Sequence, residues 1–258
     1  MTRVDNPPLR GSRALVSGAS GNIGRGIATR LARAGAEVAV HFCADAAGAT
    51  RTVDEITAAG GAATVVQADL SSEAEADALF AGLYAAGDAI DLIVNNAATQ
   101  PVKALADLSG GEWRRVLAAN LDSAFYVTQA AARHLRAAGK QGAVVNIASI
   151  EGSDPAAGHS HYATSKAGLL MLTRACALEY GAVGIRFNAV SPGLIDRDGL
   201  SESWPEGVSR WLENVPLGRM GDADDVAEAV LFLLSPAARW ISGANLVVDG
   251  GMSTVSRW

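Results

Sequence analysis

Cysteine is nearly missing from this 258-residue chain, with Cys43 and Cys176 the whole complement. Two isolated thiols build no disulfide framework and no metal-ligand spacing, so no metal is expected and a reducing cytoplasm is the expected setting. Aromatic residues are also few, at 5%. Long apolar runs are lacking: a stretch such as 226–234 is too short and too interrupted to span a bilayer, and no membrane partner is expected. The opening residues 1–10 carry two prolines and charges without an apolar run, so no secretory signal is read there. An excess of positive charge is absent as well. The net charge of −6 speaks against nucleic acid as a partner, and arginines such as Arg114, Arg115, Arg133 and Arg136 read as solvated helix faces.

What the chain has in quantity is alanine, glycine and short β-branched runs, with 49% hydrophobic residues overall. That suffices for the core of one large α/β domain, taken here as residues 1–258. Continuous apolar runs over 14–17, 38–41, 63–67, 92–95, 143–147, 185–190 and 245–248 read as strands buried on both faces. Helical patterns lie between them, over 23–34, 46–59, 73–85, 112–136, 162–180 and 225–234. Ser72 with Glu75, and Ser109 with Glu112, have capping-box spacing. The alternation predicts a doubly wound, Rossmann-type parallel sheet of about seven strands with helices on both faces. One stretch, 194–216, rich in Gly, Ser, Trp and Pro, has no strand pattern and reads as a substrate lid.

The first strand runs into Gly18, Ala19, Ser20, Gly21, Asn22, Ile23 and Gly24, and a helix follows. Glycines there let the backbone approach a pyrophosphate, and the helix start offers free N–H groups and partial positive charge. The second strand ends at Phe42 and Cys43, where NAD-binding folds commonly place a carboxylate for the ribose 2′-hydroxyl; Asp45 falls in the loop beyond. Without that carboxylate the reading leans to NADP over NAD, although no Arg or Lys stands there to grip a 2′-phosphate.

Only three lysines and four tyrosines occur, yet Tyr162 and Lys166 stand four apart at a helix start and so share one face. A phenol is a poor acid/base at neutral pH unless a nearby cation favours its ionised form, and Lys166 supplies one. Ser149 follows the strand at 143–147, on the carboxyl edge where such sheets bind ligands, and its hydroxyl suits a substrate oxygen. Asn120 is a polar residue inside an otherwise core-like helix: it either holds a water linking Lys166 to solvent or satisfies a kinked backbone. His159 and His161 bracket Ser160 with no third ligand evident; pocket lining or a plain loop outweighs metal binding.

These landmarks, with Asp69-Leu70, Asn95-Asn96-Ala97-Ala98, Ser191-Pro192-Gly193 and Val248-Asp249-Gly250-Gly251, occur in an order that resembles the short-chain dehydrogenase/reductases over nearly the whole chain. The likeness is to their short, single-domain branch, including 3-oxoacyl-[acyl-carrier-protein] reductase-like members. It implies a catalytic set of Asn120, Ser149, Tyr162 and Lys166. It also implies cofactor contacts from Asp69 and Leu70 to adenine, from Asn95 to Ala97 toward the adenosine ribose, from Tyr162 and Lys166 at the nicotinamide ribose, and from Pro192, Gly193 and Ile195 at the nicotinamide. A homotetramer is implied, with the long helices beginning at Glu112 and Tyr162 between subunits and the tail ending in Trp258 at an interface or a neighbour's pocket. Two departures stand out. Asn22 occupies the place of the branch's second glycine, giving a Gly18-x-x-Gly21-x-x-Gly24 spacing that resembles the extended members, whose further C-terminal domain 258 residues cannot supply. Arg197 stands where the family often has threonine.

The function these residues predict is hydride transfer between nicotinamide and a ketone or secondary alcohol. The alternative is a catalytically silent NAD(P)-sensing protein of the same fold. The pocket residues proposed, Gln100, Glu151, His159, Leu194, Trp204 and Trp211, leave an acyl thioester, a sugar or polyol and a small cyclic ketone all open.

Overall fold

The computed structural model describes residues 7–87 and 89–255, so the expectations for Trp258 and for the first six residues lie outside it. Seven parallel strands form one sheet in the order β3-β2-β1-β4-β5-β6-β7. They are β1 (Arg13–Val16), β2 (Glu37–Phe42), β3 (Ala62–Gln67), β4 (Leu92–Asn95), β5 (Gly142–Ile147), β6 (Ile185–Pro192) and β7 (Asn245–Val248). The helices between them are α1 (Asn22–Arg33), α2 (Ala46–Ala58), α3 (Glu73–Ala85), α4 (Gly110–Leu117), α5 (Ser123–Ala137), α6 (Ser160–Tyr180), α7 (Leu200–Ser203), α8 (Pro205–Asn214) and α9 (Ala223–Leu234).

The unbroken apolar strands work by sorting alternate residues to opposite faces. Ala14, Val16, Leu92, Val94, Ala143 and Val145 join one core with Ile27 and Leu31 of α1 and Val226 and Val230 of α9. Leu15, Ile93 and Val144 join the other, with Phe80 of α3, Val127 and Leu135 of α5, and Cys176 of α6. Both-face burial fails for the two outer strands. In β3 and β7 most residues are exposed, Val247 by 45%, because an edge strand's apolar run has a helix on at most part of its surface.

The pattern at 112–136 predicts one helix, but the structure divides it. A π-helical turn, Ala118–Asp122, separates α4 from α5 and has Asn120 at its centre. The capping box of Ser109 and Glu112 is complete. That of Ser72 and Glu75 is half made: Ser72 accepts from the Glu75 N–H, while the Glu75 carboxylate accepts from Asp69 N–H at 2.7 Å instead. Within 194–216 the chain forms α7 and α8 rather than an irregular loop, with Leu200, Val208 and Val215 buried beneath.

The chain leaves β1 toward β2 on one side and β4 on the other, so the crevice between their carboxyl ends is the sheet's switch point. Asn22, Ser149, Tyr162 and Pro192 all follow or end strands at this edge.

Candidate active site

The glycine turn is built on close approach. A Cβ on Gly24 would lie 2.2 Å from the Gly18 carbonyl oxygen, and one on Gly18 would lie 2.9 Å from Ala97 Cα. Asn22 takes φ +48°, the only positive φ outside glycine among the described residues. Asparagine tolerates this left-handed conformation better than most residues. Asn22 therefore adopts, within this turn, a backbone conformation usually left to glycine.

Several side chains hold this turn through contacts that the sequence does not reveal. Ser17 Oγ accepts from the N–H groups of Asn96 and Ala97 at 2.9 and 3.0 Å. Asn96 Nδ2 donates to the carbonyls of Ser17 and Gly18. His41 Nδ1 accepts from Gly18 N–H at 3.2 Å, so its Nε2 carries the hydrogen and donates to Ala68 C=O at 3.0 Å. All three bridge strands distant in sequence, and no local pattern marks them.

Burial pushes the His41 pKa below its ordinary 6.5. The unfolded chain then takes up the proton first as pH falls, so this contribution to stability is complete above about pH 6.5 and is lost on acidification toward the lowered folded value. We expect the melting temperature to drop across that window. His41→Leu should cost about 1–3 kcal/mol by orphaning the Gly18 N–H and flatten that part of the profile; scanning calorimetry at stepped pH checks both.

Around the crevice the residues fit a dinucleotide. Helix α1 begins with no side-chain cap, whereas α2, α3, α4 and α9 are capped by Asp45, Ser72, Ser109 and Asp222. Its first N–H groups are thus left for an anion, and Arg25 Nη2 donates to Ser20 C=O at 3.1 Å beside them. Asp45 is not free to read a ribose: its Oδ1 accepts from Gly48 N–H at 2.9 Å. Asp69 is tied to Ser71, whose N–H and hydroxyl hold its carboxyl below the usual range. Phe42 and Leu70 are buried at the ends of their segments. Asn95 Nδ2 donates to Asn146 and Thr128, and its buried Oδ1 has no partner. On the far side, Gly193 N–H donates to Val248 C=O, and Ile195 forms an isolated bridge with Gly221. Trp211 packs so closely on Gly193 that a Cβ there would meet its ring at 2.6 Å.

Tyr162, Lys166 and Ser149 are buried together where α6 crosses the end of β5. Lys166 Nζ donates to Ile147 C=O at 2.7 Å and lies 5.6 Å from the Tyr162 ring centre. Burial lowers the Lys166 pKa to about 8. Burial also pushes the Tyr162 phenol up to about 12, against a hydrogen bond with Ser149 that pulls it down, with Glu151 adding to the rise. Desolvation therefore keeps this phenol protonated at neutral pH in the cofactor-free chain. Asn120 Oδ1 accepts from Thr99 N–H at 2.8 Å, and its Nδ2 donates to Thr99 C=O and Ser165 Oγ. The two histidines part company. His159 faces Glu151 and Tyr162, while His161 is fully buried with neither ring nitrogen hydrogen-bonded. No group of three His, Cys, Asp or Glu side chains is placed to hold a metal ion among the described residues.

The family model described as Enoyl-(Acyl carrier protein) reductase matches residues 18–253. The L-rhamnose 1-dehydrogenase (NAD(P)(+)) of Azotobacter vinelandii is 40% identical over 92% of this chain and 95% of its own. A structure of a candidate short-chain alcohol dehydrogenase from Sinorhizobium meliloti superposes with TM-score 0.92 at 34% identity, covering 97% of this chain and all of that one. A candidate 2-deoxy-d-gluconate 3-dehydrogenase from Agrobacterium tumefaciens, solved with bound NADP, superposes with TM-score 0.87 at 36% identity, over 97% of this chain and 99% of its own.

Proposed function

The chain belongs to the short-chain dehydrogenase/reductases and is an NAD(P)-dependent oxidoreductase of alcohol and carbonyl groups; from that footing we propose that Tyr162 is its acid/base, assisted by Ser149, Lys166 and Asn120. The observation that supports these roles best is the burial of Ser149, Tyr162 and Lys166 side by side, with Lys166 Nζ 5.6 Å from the centre of the Tyr162 ring. Bound nicotinamide supplies the hydride, given or taken at its ring C4. In reduction, the substrate oxygen accepts hydrogen bonds from the Ser149 and Tyr162 hydroxyls. As charge develops on that oxygen, Tyr162 donates its proton and Ser149 keeps its bond. Lys166 has three donors and spends one on Ile147, leaving two for a ribose hydroxyl and for returning a proton to Tyr162. Both ends of the Asn120 amide are engaged, so a water in the relay hangs from the main chain of the π turn rather than from the side chain.

In the same reading the pyrophosphate lies on Gly18, Ser20, Gly21, Asn22, Ile23 and Gly24. Phe42, Asp69, Leu70, Asn95 and Ala97 line the adenosine half, and Pro192, Gly193 and Ile195 face the nicotinamide. NADP is the preferred form, because β2 ends at Phe42 and Asp45 is committed to capping α2. The segment 194–216 acts as the lid of a single domain, its Trp204 half exposed. The protein is a cytoplasmic homotetramer, a reading supported by exposed Phe125 on α5 and by Met171 and Leu178 on α6. A silent nucleotide sensor has nothing in its favour, since every group needed for proton transfer is present.

Titration with NADPH and NADH, followed by nicotinamide fluorescence, tests the cofactor half. We expect NADPH to bind about tenfold tighter or more, a difference of about 1.4 kcal/mol. Tighter NADH binding would reject the NADP preference alone; binding of neither would reject the nucleotide site.

A further inference from the structure

Beside the reacting groups stands a second cluster, assembled from three segments. Glu151 follows Ser149 by two residues, and its N–H donates to Ser149 Oγ at 3.1 Å. Its carboxylate accepts from Gln100 Nε2 at 3.0 Å, out of the loop after β4. It also accepts from His159 Nδ1 at 2.9 Å, at the start of α6, whose ring meets that of Tyr162 edge-on at 6.1 Å. The Glu151 and His159 side chains are 16% and 17% exposed, so the cluster is a wall of the crevice and not a solvated surface pair.

The polarity of this wall follows from its own bonds. A carboxylate only accepts, so the shared hydrogen sits on His159 Nδ1, and the other ring nitrogen, Nε2, is an acceptor whenever it carries no proton of its own. Gln100 gives its amide N–H to Glu151, which leaves its Oε1 as the free end. Imidazole nitrogen, amide oxygen and the remaining carboxylate lone pairs are all acceptors. A substrate matching them brings hydroxyl donors next to the carbon that reacts. Next to the reacting carbon an acyl thioester, a phosphate or a carboxylate presents only acceptors, and a hydrocarbon ring presents nothing; each strips water from these groups without replacing its hydrogen bonds.

We propose that Glu151, held by His159 and Gln100, hydrogen-bonds a hydroxyl adjacent to the reacting carbon, and that the substrate is a neutral polyhydroxylated compound, a sugar in its ring form or a cyclic polyol. The proposal rests on the Ser149–Tyr162 pair being the reacting site. Glu151 is then a specificity residue, acting on the substrate beside that pair.

The test compares kcat/KM for neutral aldohexoses, aldopentoses and inositols with that for cyclohexanol and a 3-hydroxybutyryl thioester, all with NADP+ and NAD+. The wild-type protein should favour its best polyol over cyclohexanol by about 100-fold or more, the discrimination reached by a site that hydrogen-bonds a substrate hydroxyl. Glu151→Leu should collapse that ratio to within about tenfold, mainly through KM, and Glu151→Gln should fall between; a merely structural tie would lower all substrates alike and leave the ratio standing. Saturation-transfer NMR on the NADP-loaded protein reads polyol binding apart from turnover: binding should survive in Tyr162→Phe and disappear in Glu151→Leu. A wild-type preference for cyclohexanol or the thioester, or a ratio unmoved by Glu151→Leu, overturns the proposal and leaves the oxidoreductase chemistry intact. Polyol binding without turnover of any substrate would instead count against Tyr162 and Ser149 as the reacting pair, while absence of binding overturns the polyol assignment itself.

Discussion

Tyr162→Phe should lower kcat about 10³-fold in either direction while leaving NADPH affinity within a few-fold and the melting temperature nearly unchanged. The size is that of a lost general acid or base, and about 10³-fold corresponds to about 4 kcal/mol of transition-state stabilisation. Phenylalanine keeps the ring that is buried against α6 and β5, so packing survives. Only the hydroxyl goes. Because Tyr162 is 8% exposed, bulk water has little access to replace its proton. The ionisation of the phenol gives a second, independent signature. Burial pushes it up to about 12 in the cofactor-free chain, so the phenol is protonated and ready to donate throughout the neutral range. Reduction should therefore vary little with pH around neutrality, whereas alcohol oxidation, which needs the ionised form, should climb as pH rises. Steady-state rates in both directions over a pH series check the sign. Full activity in Tyr162→Phe would remove Tyr162 from the chemistry.

That Tyr162 and Lys166 share one helical face is legible from a spacing of four, because helix geometry is local. The glycine turn is legible for the same reason, as is the alternation of strand and helix. Less visible is what crosses the sheet. Ser17, His41 and Asn96 hold the turn from three different strand ends, and only the parallel registers bring them together. The exposure of β3 and β7 depends on strand order, which periodicity does not encode. The π turn at Ala118–Asp122 hides within an apolar pattern that a continuous helix satisfies equally well; Asn120 was its only mark, and its partner Thr99 lies in another loop. Charge is all that the sequence shows of Lys166 beside Tyr162. Burial acts on both groups, raising the phenol and lowering the ammonium, and a sequence shows spacing more readily than desolvation.

Two glycines three positions apart, Gly21 and Gly24, should respond differently to the same added methyl group. At Gly24, a Cβ would stand 2.2 Å from Gly18 O, 2.7 Å from Asn96 Nδ2 and 2.9 Å from Ala19 Cα. Two of these are backbone atoms of the turn, and the third is the amide that clamps it, so none yields cheaply. Gly24→Ala should cost about 3 kcal/mol or more through overpacking and should abolish measurable NADPH binding by displacing the α1 start from the crevice. Gly21 differs in both respects. Its φ of −171° is extended backbone open to any residue, and a Cβ there meets nothing nearer than Arg25 Nη2 at 3.9 Å. Gly21→Ala should unfold within about 0.5 kcal/mol of the wild type, as a substitution free of strain does. Its methyl nevertheless occupies the open side of an uncapped helix start, where a pyrophosphate would approach the N–H groups. Thermal unfolding of both variants without nucleotide, paired with NADPH titration, separates the two roles: Gly24 sustains the turn, and Gly21 keeps its face clear. A Gly21→Ala protein that binds NADPH as tightly as the wild type would move the pyrophosphate away from α1, however stable that protein proved to be.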